Sequence, residues 1–414
     1  MQDELPVGGM SAPKYYDYIV VGCGGIGSAT LYWLARRAGK KVEKFNLGHE
    51  NGGSQDHSRI IRLSYSGPEY VELAKGTYKA WAEAERESGL QVVYKTGGLD
   101  ITKRGTLGEK MVEHYAEAMD AANVRYERLE GESLRHKFPQ FNPTPEWVCL
   151  YQQESGLVDA AMGNAIHTQL ARLHGATIVE NAAVMKLTKQ GNLTKVSTTK
   201  GDFLCRKVII TAGAWMNEVL SSVGVKIPLT VTQEQVTYYA TPHMKEFTKE
   251  SFPVFCFRPG LEPSVYALPI HGNTGFKVGL DAAGPTVTAS TRTFVPDRER
   301  ELRAESVIAE LCPRALGPIL CTKTCLYAMT PDRHFVIDNC RETGYPDVIF
   351  CCGAGHAYKF AGVLGKILSQ LAVDGRSDFD ISFFNMERDA ITDPSYKPCF
   401  RLGIREQDLT SSKL

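Results

Sequence analysis

Hydrophobic and polar residues alternate along this chain with two periods, and where the period changes marks the architecture. Asp17-Tyr-Ile-Val-Val21 is a short apolar run that reads as a buried strand. It passes through Gly22-Cys23-Gly24-Gly25-Ile26-Gly27 into a helix expected from Ser28 to about Arg37. A second strand is expected from Lys41 to about Phe45. Helical spacing recurs at Ala160–Leu173 and Arg298–Leu311, and again after Gly353, where apolar residues fall at 360, 363, 364, 367, 368 and 371. Lys207–Ile210 and Val348–Cys352 read as buried strands, each followed by a glycine turn. Strand-like alternation marks Val92–Ile101, Gln235–Ala240, Val265–Ile270 and Phe276–Leu280, and these segments predict an antiparallel sheet.

The pattern predicts an α/β chain in which a Rossmann-like, glutathione-reductase-like nucleotide domain is interrupted by an α+β substrate domain built on the antiparallel sheet. The nucleotide domain is expected over 15–90, 150–225 and 325–390. The substrate domain is expected over 91–149 and 226–324, and residues 391–414 form a tail. At 414 residues the chain is long enough for two or three domains.

Charge and composition narrow the partners. Lys+Arg and Asp+Glu both number 47, which removes the electrostatic reason to expect nucleic acid or an anionic membrane surface. The acidic start Met1-Gln2-Asp3-Glu4-Leu5 lacks a secretory h-region, and the longest apolar stretch, Tyr18–Leu34, is broken by glycines, so neither a signal peptide nor a membrane span is expected. The eleven cysteines are scattered without a C-x-x-C pair, so free thiols are expected and no metal site. Ser412-Lys413-Leu414 matches the peroxisomal address read by an import receptor.

The first turn carries the chemistry most plainly. G-x-G-x-x-G between strand and helix, with Glu43 closing the next strand, fits a dinucleotide whose pyrophosphate rests on the helix N-terminus and whose ribose is bonded by Glu43. This unit alone leaves NAD and FAD open, and an NAD-dependent dehydrogenase stays possible on it.

Four strings together resemble the monomeric sarcosine oxidase family, which includes L-pipecolate and N-methylamino-acid oxidases. They are the glycine turn with Glu43; Ser58-Arg59-Ile60-Ile61-Arg62; Cys325-Leu326-Tyr327-Ala328-Met329-Thr330-Pro331-Asp332; and Gly353-Ala354-Gly355-His356-Ala357-Tyr358-Lys359-Phe360. Their order and spacing match over about residues 16–390. The resemblance implies an FAD-dependent oxidase of a secondary amine bearing a carboxylate, yielding an imine and hydrogen peroxide, in a monomeric peroxisomal protein. A fructosyl-amino-acid oxidase is the neighbouring alternative, and a catalytically silent flavin-binding protein a more distant one.

The resemblance also implies residue roles. Cys325 would join the flavin 8α-methyl carbon by a thioether, although most core cysteines are merely structural. Lys277 would activate oxygen: alternation sets Lys277, Gly279 and Asp281 on one strand face, Gly279 would clear room for a flat ring, and a cation there would stabilise superoxide. Arg62 and Lys359 would clamp the substrate carboxylate. Arg59, one helical turn before Arg62, would lie against the flavin, and Tyr266 and Tyr327 would wall the pocket. The cofactor would also meet Gly22, Gly24, Gly25, Ile26, Gly27, Glu43, Lys44, Ser54, Ser58, Ile60, Val184, Gly213, Trp215, Gly353, Gly355, His356 and Tyr358. Two positions depart from the pattern: Gln55 and Asp281 each stand where sarcosine oxidases carry a histidine. Asp281 would either favour a cationic or larger amine or pair with Lys277.

Overall fold

The computed structural model describes residues 13–38, 42–45 and 52–404. Two eight-stranded sheets and one small sheet organise the chain. In the first sheet, Tyr345–Cys352, Gly201–Ile210, Lys14–Val21, Val42–Phe45 and Thr177–Val179 lie side by side and parallel. A parallel sheet needs both faces covered. One face carries helices Gly25–Ala38, Ala160–Leu173 and Ala361–Asp374, joined in a core around Leu31, Trp81 and Leu364. The other face packs Ile19, Val208 and Phe350 against Met216 and Leu220. The helices at 160–173 and 298–311 have the bounds expected from periodicity, and each begins at an aspartate, Asp159 or Asp297, whose carboxylate accepts backbone N–H groups of the first turn.

The second sheet runs in the order Ile319–Met329, Thr230–Tyr239, Phe276–Leu280, Val265–Leu268, Val254–Phe257, Gly98–Lys103, Trp147–Gln152, Glu127–Glu130. It is antiparallel except that Val254–Phe257 pairs parallel with Gly98–Lys103. Alternation assigns its faces. Phe255, Phe257, Val265, Ala267, Phe276, Val278 and Leu280 enter a core with Ala304, Ile308 and Leu311 of the helix at 298–311. Each Phe, Val, Leu or Ile among them contributes on the order of 1.5–3 kcal/mol by burial. The intervening Cys256, Tyr266 and Lys277, together with Leu268, Asp281 and, from the strand Ile319–Met329, Cys325 and Tyr327, line a cavity shared with the first sheet.

Three expectations need correction. Val92–Ile101 is not one strand: Val93–Tyr94 pairs in the small sheet and Gly98–Lys103 in the large one, with Gly97 at φ 74° turning the chain between them. Boundaries at 150 and 325 fall inside the strands Trp147–Gln152 and Ile319–Met329, because each must continue along its ladder to keep its hydrogen bonds. Ser58–Ile61 is a strand paired with Gly156–Asp159, so Arg59 and Arg62 are not one helical turn apart. Arg62 follows the end of that strand, and both side chains line the same cavity.

Candidate active site

One cavity of about 1320 Å³ runs from the glycine turn to the substrate face of the second sheet. Its first end is built by backbone. Gly22, at φ 98°, turns the chain so closely over Thr211 that an added Cβ would lie 2.5 Å from the Thr211 carbonyl oxygen. The helix then opens at Gly25 with no acidic residue in its first turn, leaving its positive end to the cavity. Ser54 Oγ accepts the Gly25 N–H at 2.9 Å and so holds this turn against the segment before Arg59. Gly22, Gly24, Gly25, Ile26, Ser54, Val184, Gly213 and Trp215 line this part, while Gly27 sits beneath it, pressed on Gly22. The side chains of Glu43 and Lys44 lie outside the described residues, as does Ser412–Leu414. A cavity of this size that reaches a glycine turn and a helix N-terminus free of acidic side chains fits a dinucleotide.

The middle of the cavity carries Gln55, Ser58, Arg59, Ile60, Cys325, Gly353, Gly355, His356 and Tyr358. Arg59 is fixed by its own turn, donating to the carbonyls of Ser58, Gly53 and Gln55 at 2.8, 3.2 and 2.5 Å, with its guanidinium 5.7 Å from the Tyr358 ring centre. Tyr358 donates to the Ala160 carbonyl at 2.6 Å. It starts a single 3₁₀ turn, Tyr358–Phe360, that leads into the helix Ala361–Asp374. Cys325 is half-buried in residue terms, and loss of solvent around its thiol pushes it up to about 11, with Arg59 opposing. His356 is kept neutral by burial and by Arg333, whose carbonyl lies 2.8 Å from Nε2.

Lys277 is almost fully enclosed, and its ammonium is spoken for. Nζ donates to Asp56 Oδ2 at 2.5 Å and to the Ser58 carbonyl at 2.7 Å. Asp56 also receives the Tyr238 hydroxyl at 2.6 Å and Lys323 Nζ at 3.2 Å, with Arg59 3.8 Å away. Burial opposes ionisation of this carboxyl, yet Lys277 and Arg59 hold it well below the usual range. Burial pushes Lys277 down to about 8, with Asp56 resisting. Asp56 sits at φ 87°, an uncommon conformation for a residue other than glycine. The space over Gly279 is not free for a cofactor: an added Cβ would lie 2.5 Å from the Tyr266 ring, which occupies it.

At the far end the cations converge. Arg62 Nη1 lies 2.9 Å from Asp100 Oδ1, and Arg258 reaches the same oxygen through Nε and Nη2 at 3.1 and 3.0 Å. Both guanidiniums lie over Tyr115, at 5.2 and 5.4 Å. One carboxylate between two arginines leaves one positive charge in excess. Lys359 adds another, its Nζ donating to the His356 carbonyl at 3.1 Å, and burial beside Arg62 pushes it down to about 7. Asp281 does face the cavity, but it pairs with Arg333 at 3.3 Å and not with Lys277. Its negative charge is therefore matched before any amine arrives, which removes the reason to expect a cationic substrate.

Sequence reasoning missed Asp56, Asp100, Arg258 and Arg333. Asp56 stands beside Gln55, one of the two departures from the family pattern. Asp100 and Arg258 meet only because their strands run parallel and adjacent, which no local pattern displays.

A glycine-turn nucleotide sheet opening onto buried cations through one cavity defines a dinucleotide-dependent redox enzyme. The chain belongs to the FAD dependent oxidoreductase family, whose model matches residues 17–371. Over 384 residues it is 33% identical to the monomeric sarcosine oxidase of Streptomyces avermitilis, covering 90% of this chain and 97% of that one. It is 27% identical over 402 residues to the peroxisomal sarcosine oxidase of Homo sapiens, covering 92% and 98%. Among solved structures, NikD, an amino acid oxidase of nikkomycin biosynthesis, shares the fold with a TM-score of 0.79 at 24% identity, over 90% of this chain and 97% of that one. FAD, and not NAD, is the cofactor of this family.

Proposed function

We propose that the protein is an FAD-dependent oxidase of a secondary amino acid, an N-methyl amino acid such as sarcosine or the cyclic L-pipecolate, releasing hydrogen peroxide. The observation that carries this reading is the single cavity in which a nucleotide turn, Cys325 and the Arg62–Arg258–Lys359 cations follow one another. FAD, when bound, supplies the two-electron acceptor that oxygen later restores, with Cys325 its point of attachment.

The chain's own residues do the rest. The excess positive charge at the far end attracts the substrate carboxylate, with Lys359 gaining a proton as the anion arrives. That same charge disfavours a protonated amine nearby, so the amine is held in its neutral, electron-rich form and no side-chain base is required. Tyr266 and Tyr327 close the sides, and both phenols stay neutral because burial pushes them up. Lys277 serves the oxygen step, with Asp56 holding its ammonium in place. The protein works as a monomer in the peroxisome, addressed by Ser412-Lys413-Leu414. Peroxide formation from sarcosine, L-pipecolate and other N-methyl amino acids by the purified yellow protein tests the reading, with fructosyl amino acids as the contrasting panel.

A further inference from the structure

The chain after the last helix was expected to be a tail, yet residues 399–404 lie against the substrate end and are bonded from several elements. Cys399 N–H donates to the Pro331 carbonyl at 2.9 Å. Arg333 Nη1 donates to the Phe400 carbonyl at 3.0 Å, while its Nε holds the Ala354 carbonyl at 3.0 Å and its Nη2 holds Asp281. Arg401 donates to the carbonyls of Leu261 and Ala282 at 2.7 and 3.0 Å. The Tyr115 hydroxyl donates to the Leu402 carbonyl at 3.2 Å, and His114 Nδ1 lies 3.1 Å from the Gly403 carbonyl.

Two features make this more than a surface attachment. First, the anchors are site residues or touch them: Tyr115 is the ring beneath both Arg62 and Arg258, and Arg333 is the partner of Asp281. Second, Leu402 itself lines the cavity, as do Arg258, Asp281 and Lys359. Ala282, Arg333 and Ala354, three anchors of this network, are non-glycine residues at φ 52°, 59° and 46°. Such conformations persist only where surrounding contacts over-determine them.

We propose that residues 399–404 form the roof of the substrate chamber and that the Leu402 side chain sets the size of group the chamber accepts beside the carboxylate. This rests on the chamber being the carboxylate site of the proposed oxidase. A hydrophobic wall discriminates by about tenfold or more per methylene added or removed. Trimming the wall should therefore admit larger side chains, and enlarging it should exclude them.

The test is binding of a graded series of carboxylic acids, acetate, propionate, butyrate and phenylacetate, to the full-length holoenzyme, read by thermal stabilisation over a concentration range. Wild type, Leu402→Val, Leu402→Ala and Leu402→Phe are compared. The expected result is a phenylacetate-to-acetate affinity ratio that rises through Val to Ala, by about tenfold in Leu402→Ala, and falls in Leu402→Phe. A residue with only a structural role would weaken every acid alike, so ratios that stay within twofold, or that move in the same direction in Leu402→Ala and Leu402→Phe, overturn the proposal. Should Leu402→Phe fail to fold, the Val-to-Ala progression decides alone. Wild-type protein that binds none of these acids overturns the roof together with the carboxylate site. Binding with the expected size order but without oxidation of any N-methyl amino acid or L-pipecolate sinks the oxidase reading and leaves the roof standing.

Discussion

Replacing Asp56 with asparagine removes the carboxylate paired with Lys277 while keeping the shape. Asparagine tolerates the left-handed backbone at this position and still accepts the Tyr238 hydroxyl. Both side chains of the pair are nearly inaccessible, at 2% and 5% relative exposure, so solvent screens the lost attraction little. Removing one partner of a buried pair costs about 3–5 kcal/mol. If about 3 kcal/mol of that falls on the ammonium, its titration moves down by about 2 pH units at 1.36 kcal/mol each. Lys277 would then titrate from near 8 in the parent to about 6 in the variant. At pH 7.5 the protonated fraction would drop from about three-quarters to a few per cent, roughly 25-fold. The assay is stopped-flow mixing of anaerobically reduced enzyme with oxygenated buffer from pH 5.5 to 9, beside anaerobic reduction by substrate. Reoxidation in Asp56→Asn should lose its fast phase with a midpoint near pH 6 and be at least about tenfold slower at pH 7.5, with reduction changed far less. An unmoved midpoint, or equal loss in both half-reactions, would show that Asp56 does not set the charge of Lys277.

Other outcomes follow from the same geometry. Cys325→Ala should release all its flavin on acid precipitation, whereas the parent retains it on the polypeptide; Arg59→Ala should slow attachment, since Arg59 is the main charge favouring the thiolate of Cys325. Carboxylate binding should take up a proton between pH 7 and 8, because Lys359 titrates near 7 in the empty chamber and an anion favours its charged form; calorimetry in buffers of different ionisation enthalpy measures this. Asp100→Asn leaves Arg62 and Arg258 uncompensated and should cost about 3–5 kcal/mol of stability at pH 7. The Asp100 carboxyl is held below its ordinary value by those arginines against the opposing effect of burial, so its contribution is present above the unfolded value near 4 and lost as pH falls further. The denaturant midpoints of parent and variant should therefore converge in acid.

The elements with one strong period were legible. The first strand, the glycine turn and the helices at 160–173 and 298–311 each carry their own signal, and Phe276–Leu280 displays both faces in five residues. What the sequence hides is who meets whom across distance. Ser58–Ile61 becomes a strand because Gly156–Asp159 lies beside it, so Arg59 is carried on a strand and not on a helix. The partner of Lys277 is Asp56, brought there by a loop more than two hundred residues earlier, and the partner of Asp281 is Arg333. Buried charge pairs follow topology, not local pattern. Residues 399–404, expected to be part of a tail, are held largely through their backbone carbonyls, which no side-chain pattern reveals.

We propose that one cavity joins a flavin site to a carboxylate-binding chamber in which secondary amino acids are oxidised. The decisive assay is peroxide release in air from purified protein offered sarcosine, L-pipecolate, other N-methyl amino acids and fructosyl amino acids. The expected result is turnover of at least one N-methyl amino acid or L-pipecolate, abolished or strongly weakened in affinity by Lys359→Ala. Peroxide from fructosyl amino acids alone, or none from any member of the panel by flavin-loaded protein, would contradict it.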